Sequence, residues 1–511
     1  MKFVLSELTM FLLVSLLSAQ FGGGSGTEDD PWQIGTAEHL DNIRNFLDAE
    51  HSDKYFIQTA DIDLGVPPWN VGEGWEPIGT NNNRFHGSYN GDDYSIEGIY
   101  IDRVATVGLF GYIEGGEISN LSIYDALLTG MTGGGILAGY ITSGSTVSNV
   151  SVSGTVAGDN DLTYYAGGLV GVSFGTTITG VCCDVTVSGS SHVGGLAAQA
   201  EMSTITHSCS KGLVIGAGDY SYSAGGLIGS LELDSSITNS YSTSNVYGRS
   251  NAGGFIGGSY SSDISYCYST GDVVGQMQVG GFIGYNSSNV SNCYWDIETS
   301  GTDVSAGGEG RTTTQMLSLQ TFIGWDFNNT WDLIEDFSYP AFQNQELSSY
   351  PLPGPDDLTG TYSDQTVYLD WELPYNTPAG YRVYRDGILL NESELITDME
   401  YSDTIPLPNK NYSYYVTAVF DVDGTMIESA GSNSVFVLTV EFVGGDGSEN
   451  NPYLVENSAH LYAVRFFLDA HYLQIADIDL NIPPWNVGDG WEPIKKRFDF
   501  VGKFKSRQSG M

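Results

Sequence analysis

Short runs of alternating apolar and polar residues, separated by Gly, Ser, Asn and Asp, fill the chain from residue 107 to residue 301. No run in this stretch keeps the helical period of about 3.6 residues over ten positions. The pattern therefore predicts many short β-strands with turns between them. Such strands can bury their apolar side chains only against neighbouring segments.

A helical pattern precedes these strands. Residues 37–48 carry apolar side chains at helical spacing and follow Thr36, a residue type that caps helix N-termini, so a helix is expected there. The apolar stripe consists of Leu40, Ile43, Phe46 and Leu47. We interpret residues 20–106 as an N-terminal cap on the strand region, because open ends of stacked strands promote aggregation.

One apolar phrase recurs along residues 107–301 and divides them into seven units. The copies are aligned on Gly108, Gly135, Gly168, Gly195, Gly226, Gly254 and Gly281, at spacings of 27, 33, 27, 31, 28 and 27 residues. A propeller blade needs about 40 residues, whereas units of this length can stack and pair with the units above and below. We therefore expect an all-β protein with a right-handed parallel β-helix of seven turns, rising about 4.8 Å per turn. The two long spacings contain inserts at 159–165 and 219–223, which are expected to project from one face.

The phrases Gly-Leu-Val-Gly at 168–171 and Gly-Leu-Ile-Gly at 226–229 resemble the GLUG motif, and the resemblance extends over residues 107–301 with a departure at Ala198. The GLUG family occurs in secreted bacterial adhesin-like proteins and in the non-catalytic part of some IgA-specific metallopeptidases. The resemblance implies a modular surface protein that binds carbohydrate or a cell-surface protein and is not an enzyme. It leaves open a non-catalytic fragment of a larger secreted peptidase.

Two further segments follow the repeats. Residues 302–350, which are rich in large aromatic side chains, are expected to close the C-terminal end of the β-helix. Residues 351–440 begin with a proline-rich linker and continue with several alternating strand patterns, which predicts a β-sandwich. This segment resembles a fibronectin type III domain, and the resemblance implies that Trp371 is its core tryptophan and Tyr412 its tyrosine-corner residue.

Residues 441–511 repeat the beginning of the protein in part. The sequence Ala-Asp-Ile-Asp-Leu at 60–64 returns at 476–480, and a Pro-Pro-Trp-Asn-Val-Gly segment is also duplicated. These repeats predict a partial second cap. Six of the 18 basic residues fall within 495–511, where the duplication ends. A functional basic tail is one interpretation, and a chain end altered by truncation or a frameshift is the favoured one.

The first 19 residues combine a basic start at Lys2, an apolar run and a small-residue exit at Ala19, which is typical of a secretory signal peptide. No later apolar stretch reaches the length of about 20 residues that spans a bilayer. We therefore expect a bacterial protein that is secreted, extracellular or held at the cell surface, without a transmembrane segment after signal cleavage.

The charge balance excludes one class of partner. The chain has 18 basic and 62 acidic residues, a formal net charge of −44, and such a protein repels the phosphate backbone, so we expect no nucleic-acid binding. No cofactor is expected, although calcium is conceivable at two duplicated carboxylate pairs of the caps. These pairs are Asp61 with Asp63 and Asp477 with Asp479, and a solvated strand face is the favoured interpretation.

A polysaccharide-active β-helix enzyme, either a lyase or a hydrolase, is the main alternative to adhesion. The zinc-peptidase signature His-Glu-x-x-His is absent, and a lyase would need a basic residue, of which residues 107–301 hold only Lys211 and Arg249. A hydrolase would need a close carboxylate pair. By spacing, the candidates are Asp159 with Asp161 and Glu232 with Asp234. Aspartate is common in turns, so the structural interpretation of these pairs is favoured.

The cysteines occupy repeated positions. Cys182 and Cys209 share one position relative to the second apolar phrase of each unit, and Cys267 and Cys293 share another. Equivalent residues on adjacent turns have Cα atoms about 4.8 Å apart, which lies within the disulfide range of about 4.4–6.8 Å. Disulfides Cys182–Cys209 and Cys267–Cys293 and a ladder of buried thiols are both open alternatives.

The position of Cys209 is taken by tyrosine in the later units, at Tyr241, Tyr268 and Tyr294. Three tyrosines in register are expected to form a column. Such a column can bind sugar rings as an exposed aromatic strip, or it can stabilise the rod by stacking, and the second interpretation is favoured.

Overall fold

The computed structural model describes residues 20–48, 50–51, 53–158, 164–216, 222–343, 345–363, 365–372, 376–404, 411–422, 424–439, 442–464, 470–480 and 504–506. The fold is mostly β, with 52% strand and 6% helix, and its largest part is a β-solenoid of about 9 turns. The predicted parallel β-helix is therefore confirmed, and it has more turns than the seven expected from the repeats.

Strands of the N-terminal cap supply the additional turns. They are β1 (Trp32–Ile34), β2 (Tyr55–Gln58), β3 (Ile62–Asp63), β4 (Ser88–Asn90), β5 (Ser95–Glu97) and β6 (Tyr100–Asp102). Strand β1 pairs in parallel with β2, and β2 pairs with β4. Strands β4, β5 and β6 then pair in parallel with β9 (Glu117–Thr129) of the first repeat, so the coil continues without interruption from the cap into the repeats.

The cap also contains the predicted helix in a shorter form. Helix α1 (Ala37–Asn42) is followed by a single 3₁₀ turn (Ile43–Asn45), and the Thr36 side chain accepts a hydrogen bond of 3.2 Å from the backbone N–H of His39. All four residues of the predicted apolar stripe, Leu40, Ile43, Phe46 and Leu47, are buried.

Three rows of parallel strands, called faces A, B and C, build the repeats. Face A contains β7 (Thr106–Val107), β10 (Gly133–Gly134), β13 (Tyr165–Gly167), β16 (His192–Gly194), β20 (Ser223–Gly225) and the ends of β23 (Asn245–Gly253) and β25 (Val273–Gly280). Face B contains β8 (Phe110–Glu114), β11 (Ala138–Thr142), β14 (Val170–Phe174), β17 (Ala197–Glu201), β21 (Ile228–Glu232) and the beginnings of β24 (Ile256–Ser269) and β26 (Ile283–Ser291). Face C contains β9, β12 (Thr146–Ala157), β15 (Thr177–Gly189), β18 (Thr204–Thr206), β19 (Cys209–Gly216), β22 (Ser236–Ser242), β27 (Tyr294–Asp296) and β28 (Glu309–Arg311), together with the ends of β24 and β26 and the beginnings of β23 and β25.

One corner within face C has the same backbone conformation in every repeat. The residue at this corner adopts a left-handed φ between 48° and 66° in all seven units, namely Asn120, Asn149, Gly180, His207, Asn239, Tyr266 and Asn292. Asparagine and glycine tolerate this conformation best, which explains why they hold most of these positions. The corner is therefore a structural requirement of the coil, and His207 fills it as an ordinary member of the repeat.

Residues 302–350 contain helix α2 (Thr313–Met316), two 3₁₀ turns (Leu319–Thr321 and Leu347–Ser349) and an antiparallel pair, β29 (Trp331–Asp332) with β30 (Ala341–Phe342). Strand β28 adds one further parallel step to the coil beside β27. Much of the remaining segment packs along face C of the last turns, where Trp331 lies 6.0 Å from Tyr268 between ring centroids.

The residues predicted to form a sandwich fold into two antiparallel sheets. One sheet contains β31 (Asp356–Ser363), β32 (Thr366–Glu372) and β35 (Glu400–Thr404), and the other contains β33 (Gly380–Arg385), β34 (Ile388–Leu389), β36 (Asn411–Val422), β37 (Thr425–Glu428) and β38 (Val435–Leu438). Trp371 of the first sheet packs 5.3 Å from Tyr381 of the second, measured between ring centroids. Asp403 of the first sheet accepts hydrogen bonds of 2.7 Å from Arg385 and from Tyr414 of the second. Both Trp371 and Tyr412 are buried.

The partial second cap repeats the local structure of the first. Strands β39 (Tyr453–Val455), β40 (Tyr472–Gln474) and β41 (Phe504–Ser506) pair in parallel, as β1, β2 and β4 do, and helix α3 (Ser458–Ala463) follows β39. Asn457 accepts a 2.9 Å hydrogen bond from the backbone of His460, which matches the capping by Thr36. Strand β41 belongs to the basic tail, so this part of the tail continues the pattern of the cap. The duplicated residues 483–494 and the signal-peptide prediction at 1–19 lie outside the described residues.

Candidate functional site

The predicted tyrosine column exists, but it is not accessible. Cys209, Tyr241, Tyr268 and Tyr294 are paired one above the other on successive turns of face C. The rings of Tyr241 and Tyr268 are stacked, and the three tyrosines are only 4%, 0% and 5% exposed. Tyrosines buried to this extent cannot serve as a platform for sugar rings.

Aromatic side chains of residues 302–350 cover this column. Phe342 lies 5.2 Å from Tyr241 between ring centroids, and Trp325 lies 6.2 Å from Tyr294. The hydroxyl group of Tyr268 donates a 2.6 Å hydrogen bond to the backbone carbonyl of Pro340. The candidate binding role of Tyr241, Tyr268 and Tyr294 is therefore corrected to a structural one, since their neighbours are side chains of the same protein.

The two candidate disulfides differ in outcome. Cys182 and Cys209 are bonded across adjacent turns, with a Cα–Cα distance of 4.5 Å. Cys267 and Cys293 are free and buried. Their thiols donate hydrogen bonds of 3.1 and 3.2 Å to the carbonyls of Ser265 and Ser291, which lie two residues earlier in the chain. The second pair is thus a short ladder of buried thiols, the other alternative considered from the sequence.

The carboxylate pairs chosen by spacing form no shared site among the described residues. Asp159 and Asp161 lie outside these residues. Asp234 is an exposed corner residue with a left-handed φ of 58°, and no hydrogen bond joins it to Glu232 in the described part of the chain. Asp234 therefore serves the turn, as its residue type suggests.

The cap carboxylates have structural partners as well. Asp61 accepts a 2.8 Å hydrogen bond from the backbone N–H of Ser95, and Asp63 accepts one of 2.7 Å from Gly65. Within the described residues, no group of three or more His, Cys, Asp and Glu side chains could hold a metal ion.

A different surface brings aromatic rings and carboxylates together on faces A and B. We call it the Tyr–Glu surface and define it by Tyr165 and His192 on face A and by Glu201, Glu232 and Tyr260 on face B. Tyr165 and His192 are in register on adjacent turns, with stacked rings 5.5 Å apart, and Glu201 and Glu232 are likewise in register. All five residues are partly exposed.

The two faces meet at this surface. A Cβ atom placed on Gly258 of face B would lie 3.2 Å from the Tyr260 hydroxyl and 3.1 Å from the Ser223 hydroxyl of face A. Tyr260 therefore leans across the glycine toward face A. The aromatic character continues along the coil, where Tyr260 lies 5.2 Å from Tyr285, measured between ring centroids.

Glu232 occupies the electrostatic centre of the Tyr–Glu surface. Its carboxylate accepts hydrogen bonds of 2.7 Å from Ser230 and 3.2 Å from Gln199. Burial, followed by the charge of Glu232, raises the pKa of Glu201 and the pKa of Tyr260. Burial lowers the pKa of His192, and the Glu232 charge partly opposes this effect. The surface therefore concentrates negative charge next to aromatic rings.

This surface could have been found by counting from the apolar phrase. Tyr165 and His192 both stand two residues before the first glycine of their phrase, and Glu201, Glu232 and Tyr260 all stand three residues after its last position. The cysteines and tyrosines chosen from the sequence lie at positions counted from the second phrase instead. Moreover, face A and face B residues of one turn are adjacent only after the phrase has folded into a corner.

Similarity to known proteins begins with the repeat itself. The model of the GLUG motif matches residues 220–247 and 248–274, which contain the fifth and sixth of the seven units. The presence of GLUG repeats, which the sequence suggested, is thereby confirmed for these two units. No helix of the described residues is long and apolar enough to cross a membrane.

Two relatives cover different shares of the chain. Halomucin from Haloquadratum walsbyi is 35% identical over 522 residues, which span 93% of this chain and 5% of halomucin. A protein of Evansella cellulosilytica named as a Gly-rich membrane protein is 43% identical over 140 residues, which span 26% of this chain and 16% of that protein. The chain thus corresponds to a small part of each of these larger proteins.

Two solved structures resemble the chain weakly. A Bacteroides ovatus protein named as an immunoglobulin A1 protease has 21% identity and a TM-score of 0.44, over 64% of this chain and 96% of that chain. A structure named IgA1 protease has 14% identity and a TM-score of 0.37, over 57% of this chain and 24% of that chain. Resemblances of this size carry no argument about activity.

Proposed function

We propose that this chain is part of a secreted, non-catalytic surface protein that binds carbohydrate or a cell-surface protein. The GLUG matches and the relatives named as a mucin and a membrane protein support a place at the cell surface. The two packed antiparallel sheets support a fibronectin type III-like module that acts as a spacer or second binding unit.

One observation carries the binding proposal. The solenoid presents partly exposed aromatic and carboxylate side chains in register on successive turns, as in the ladders Tyr165–His192 and Glu201–Glu232. Aromatic rings offer apolar faces to sugars, and carboxylates accept hydrogen bonds from hydroxyl groups. Each ladder joins two adjacent turns, and groups spaced in this way suit a ligand that also repeats, such as a polysaccharide.

The same carboxylates favour one alternative, a polysaccharide hydrolase. Glu201 and Glu232 are in register on adjacent turns, so their Cα atoms are about 4.8 Å apart, and hydrolases use two nearby carboxyl groups of which one has a raised pKa. The pKa of Glu201 is raised by burial and by Glu232. This alternative differs from adhesion in a single measurable respect, the release of shorter products.

The test is to incubate the full chain with a panel of neutral, acidic and amino-substituted glycans and to measure both retention and products. Retention without product formation supports the proposed function. Product formation that Glu232→Gln abolishes would establish the hydrolase instead. A chain that retains no glycan in the panel and captures no cell-surface protein contradicts the binding proposal.

A further inference from the structure

Among the residues that the structure describes, the Tyr–Glu surface carries negative charge without a matching positive group. Glu201 and Glu232 face each other on adjacent turns, and neither forms an ion pair with any residue that the structure describes. Glu232 is held by the neutral side chains of Ser230 and Gln199. The carboxylate of Glu201 accepts no hydrogen bond from the described residues. Two like charges so placed repel each other, and a cation between them would relieve that repulsion.

The aromatic rings of the same surface also favour a cation. Tyr165, His192 and Tyr260 lie close enough to Glu232 to be affected by its charge, and Tyr165 is also affected by Glu201. Tyr222 extends the aromatic row, with its ring 6.3 Å from His192 and 57% of its surface exposed. A tyrosine face attracts an ammonium group within about 6 Å of the ring centroid. Carboxylates and tyrosine faces therefore both attract a positively charged group of the ligand.

Two classes of glycan fit this surface less well. An anionic glycan would be repelled both by Glu201 and Glu232 and by the net charge of −44. A neutral glycan could stack on the rings, but it would leave the repulsion between the two carboxylates unchanged. Charge complementarity therefore selects a sugar chain that carries ammonium groups.

We propose that the Tyr–Glu surface binds the ammonium groups of an amino-sugar chain, with Glu201 and Glu232 as the charged contacts and Tyr165 and Tyr260 as aromatic contacts. This inference rests on the proposed carbohydrate binding and names its ligand class. In this arrangement the sugar chain lies along the coil, so that ammonium groups on successive sugars contact side chains on adjacent turns.

The experiment compares two oligosaccharides that differ only in charge. The full chain is titrated calorimetrically at about pH 6 and low salt with a β-1,4-linked glucosamine hexamer and with its fully N-acetylated, neutral counterpart. We expect the glucosamine hexamer to bind at least about tenfold more tightly, and this preference is expected to shrink as salt is added.

Three variants separate this contact from the general acidity of the protein. Glu232→Gln keeps a side chain of the same shape, and Glu201→Gln removes a carboxylate without a hydrogen-bond partner among the described residues. Each is expected to weaken binding of the glucosamine hexamer by about tenfold. Asp125→Asn is the matched control, because it removes one exposed charge from face C at a left-handed corner that asparagine tolerates. Its binding is expected to equal that of the wild type.

Each result has a definite meaning. Equal affinity for the charged and neutral hexamers overturns this inference and leaves carbohydrate binding intact. Equal loss in Asp125→Asn and in the two glutamate variants overturns it too, since the general field of the protein would then be responsible. Absence of binding to both hexamers overturns the inference, whereas the proposed function is judged separately by the wider glycan panel.

Discussion

The rings of Tyr241 and Tyr268 stack across adjacent turns with centroids 5.0 Å apart and planes 6° from parallel, yet 4% and 0% of these residues are exposed. The stack is an internal support for the segment that covers it. Tyr268→Phe is expected to lower the free energy of unfolding by about 1–3 kcal/mol, because the buried carbonyl of Pro340 loses its hydrogen bond. Urea denaturation measures this loss. Glycan retention by the folded variant should stay at the wild-type level, and selective loss of retention would restore the tyrosines as a binding strip.

The bond between Cys182 and Cys209 joins turns that are 27 residues apart in sequence. Replacing both cysteines by Ala is expected to lower the free energy of unfolding by about 2–4 kcal/mol, because the unfolded chain gains freedom when a loop of this length is opened. Chemical denaturation of the variant and of the oxidised wild type gives the difference. Thiol titration supplies the control: Cys183, Cys267 and Cys293 are buried and should react only after unfolding. Reaction of more than three thiols in the unfolded, unreduced protein would contradict the assignment.

Tyr266 occupies the left-handed corner with a φ of 54°. A bulky residue in this conformation costs about 1–2 kcal/mol, whereas asparagine adopts it readily. We therefore expect Tyr266→Asn to raise the free energy of unfolding by about 1 kcal/mol. The relief of backbone strain is expected to outweigh the loss of the ring contact between Tyr266 and Trp325. Asn239→Ala at the equivalent corner should have the opposite effect. If both variants were destabilised equally, the corner conformation would not be the controlling factor.

Asp296 is fully buried, and this burial raises its pKa to about 6. Hydrogen bonds from the Tyr339 hydroxyl and from the backbone N–H groups of Glu298 and Thr299 oppose this effect. Because the folded-state pKa exceeds the unfolded value of 3.8, the folded protein binds this proton more tightly than the unfolded chain. The stabilising contribution is complete below about pH 4 and is lost as the pH rises through about 6, with a total of about 3 kcal/mol. Asp296→Asn should flatten this part of the stability profile measured by denaturation from pH 4 to pH 8. An unchanged profile would mean that Asp296 does not control it.

The net charge of −44 makes electrostatic repulsion a general cost of folding. Raising the salt concentration from about 0.1 M to about 1 M shortens the screening length from about 10 Å to about 3 Å. We expect potassium chloride to raise the urea midpoint of unfolding over this range. A midpoint that is constant or lower at high salt would show that the acidic side chains are too widely spaced to interact.

Much of the solenoid could be predicted from the spacing of one phrase. The register of Cys182 with Cys209, and of Tyr241 with Tyr268 and Tyr294, follows from counting residues, because equivalent residues of a coiled repeat must lie above one another. The burial of that tyrosine column could not be predicted. It depends on residues 302–350, whose aromatic side chains cover face C. The packing of this non-repeating segment cannot be predicted from the period of the repeats.

The candidate site shows the same division. Counting from the phrase would place Glu201 above or below Glu232, but only the folded corner brings Tyr165 and His192 of face A beside Glu201, Glu232 and Tyr260 of face B. The sequence alone determined that this protein contains a parallel coil with fixed ladders, since backbone pairing between equal units needs nothing beyond their repetition. The tertiary structure decided which ladders are covered and which remain exposed, because exposure depends on how non-repeating segments pack against the coil.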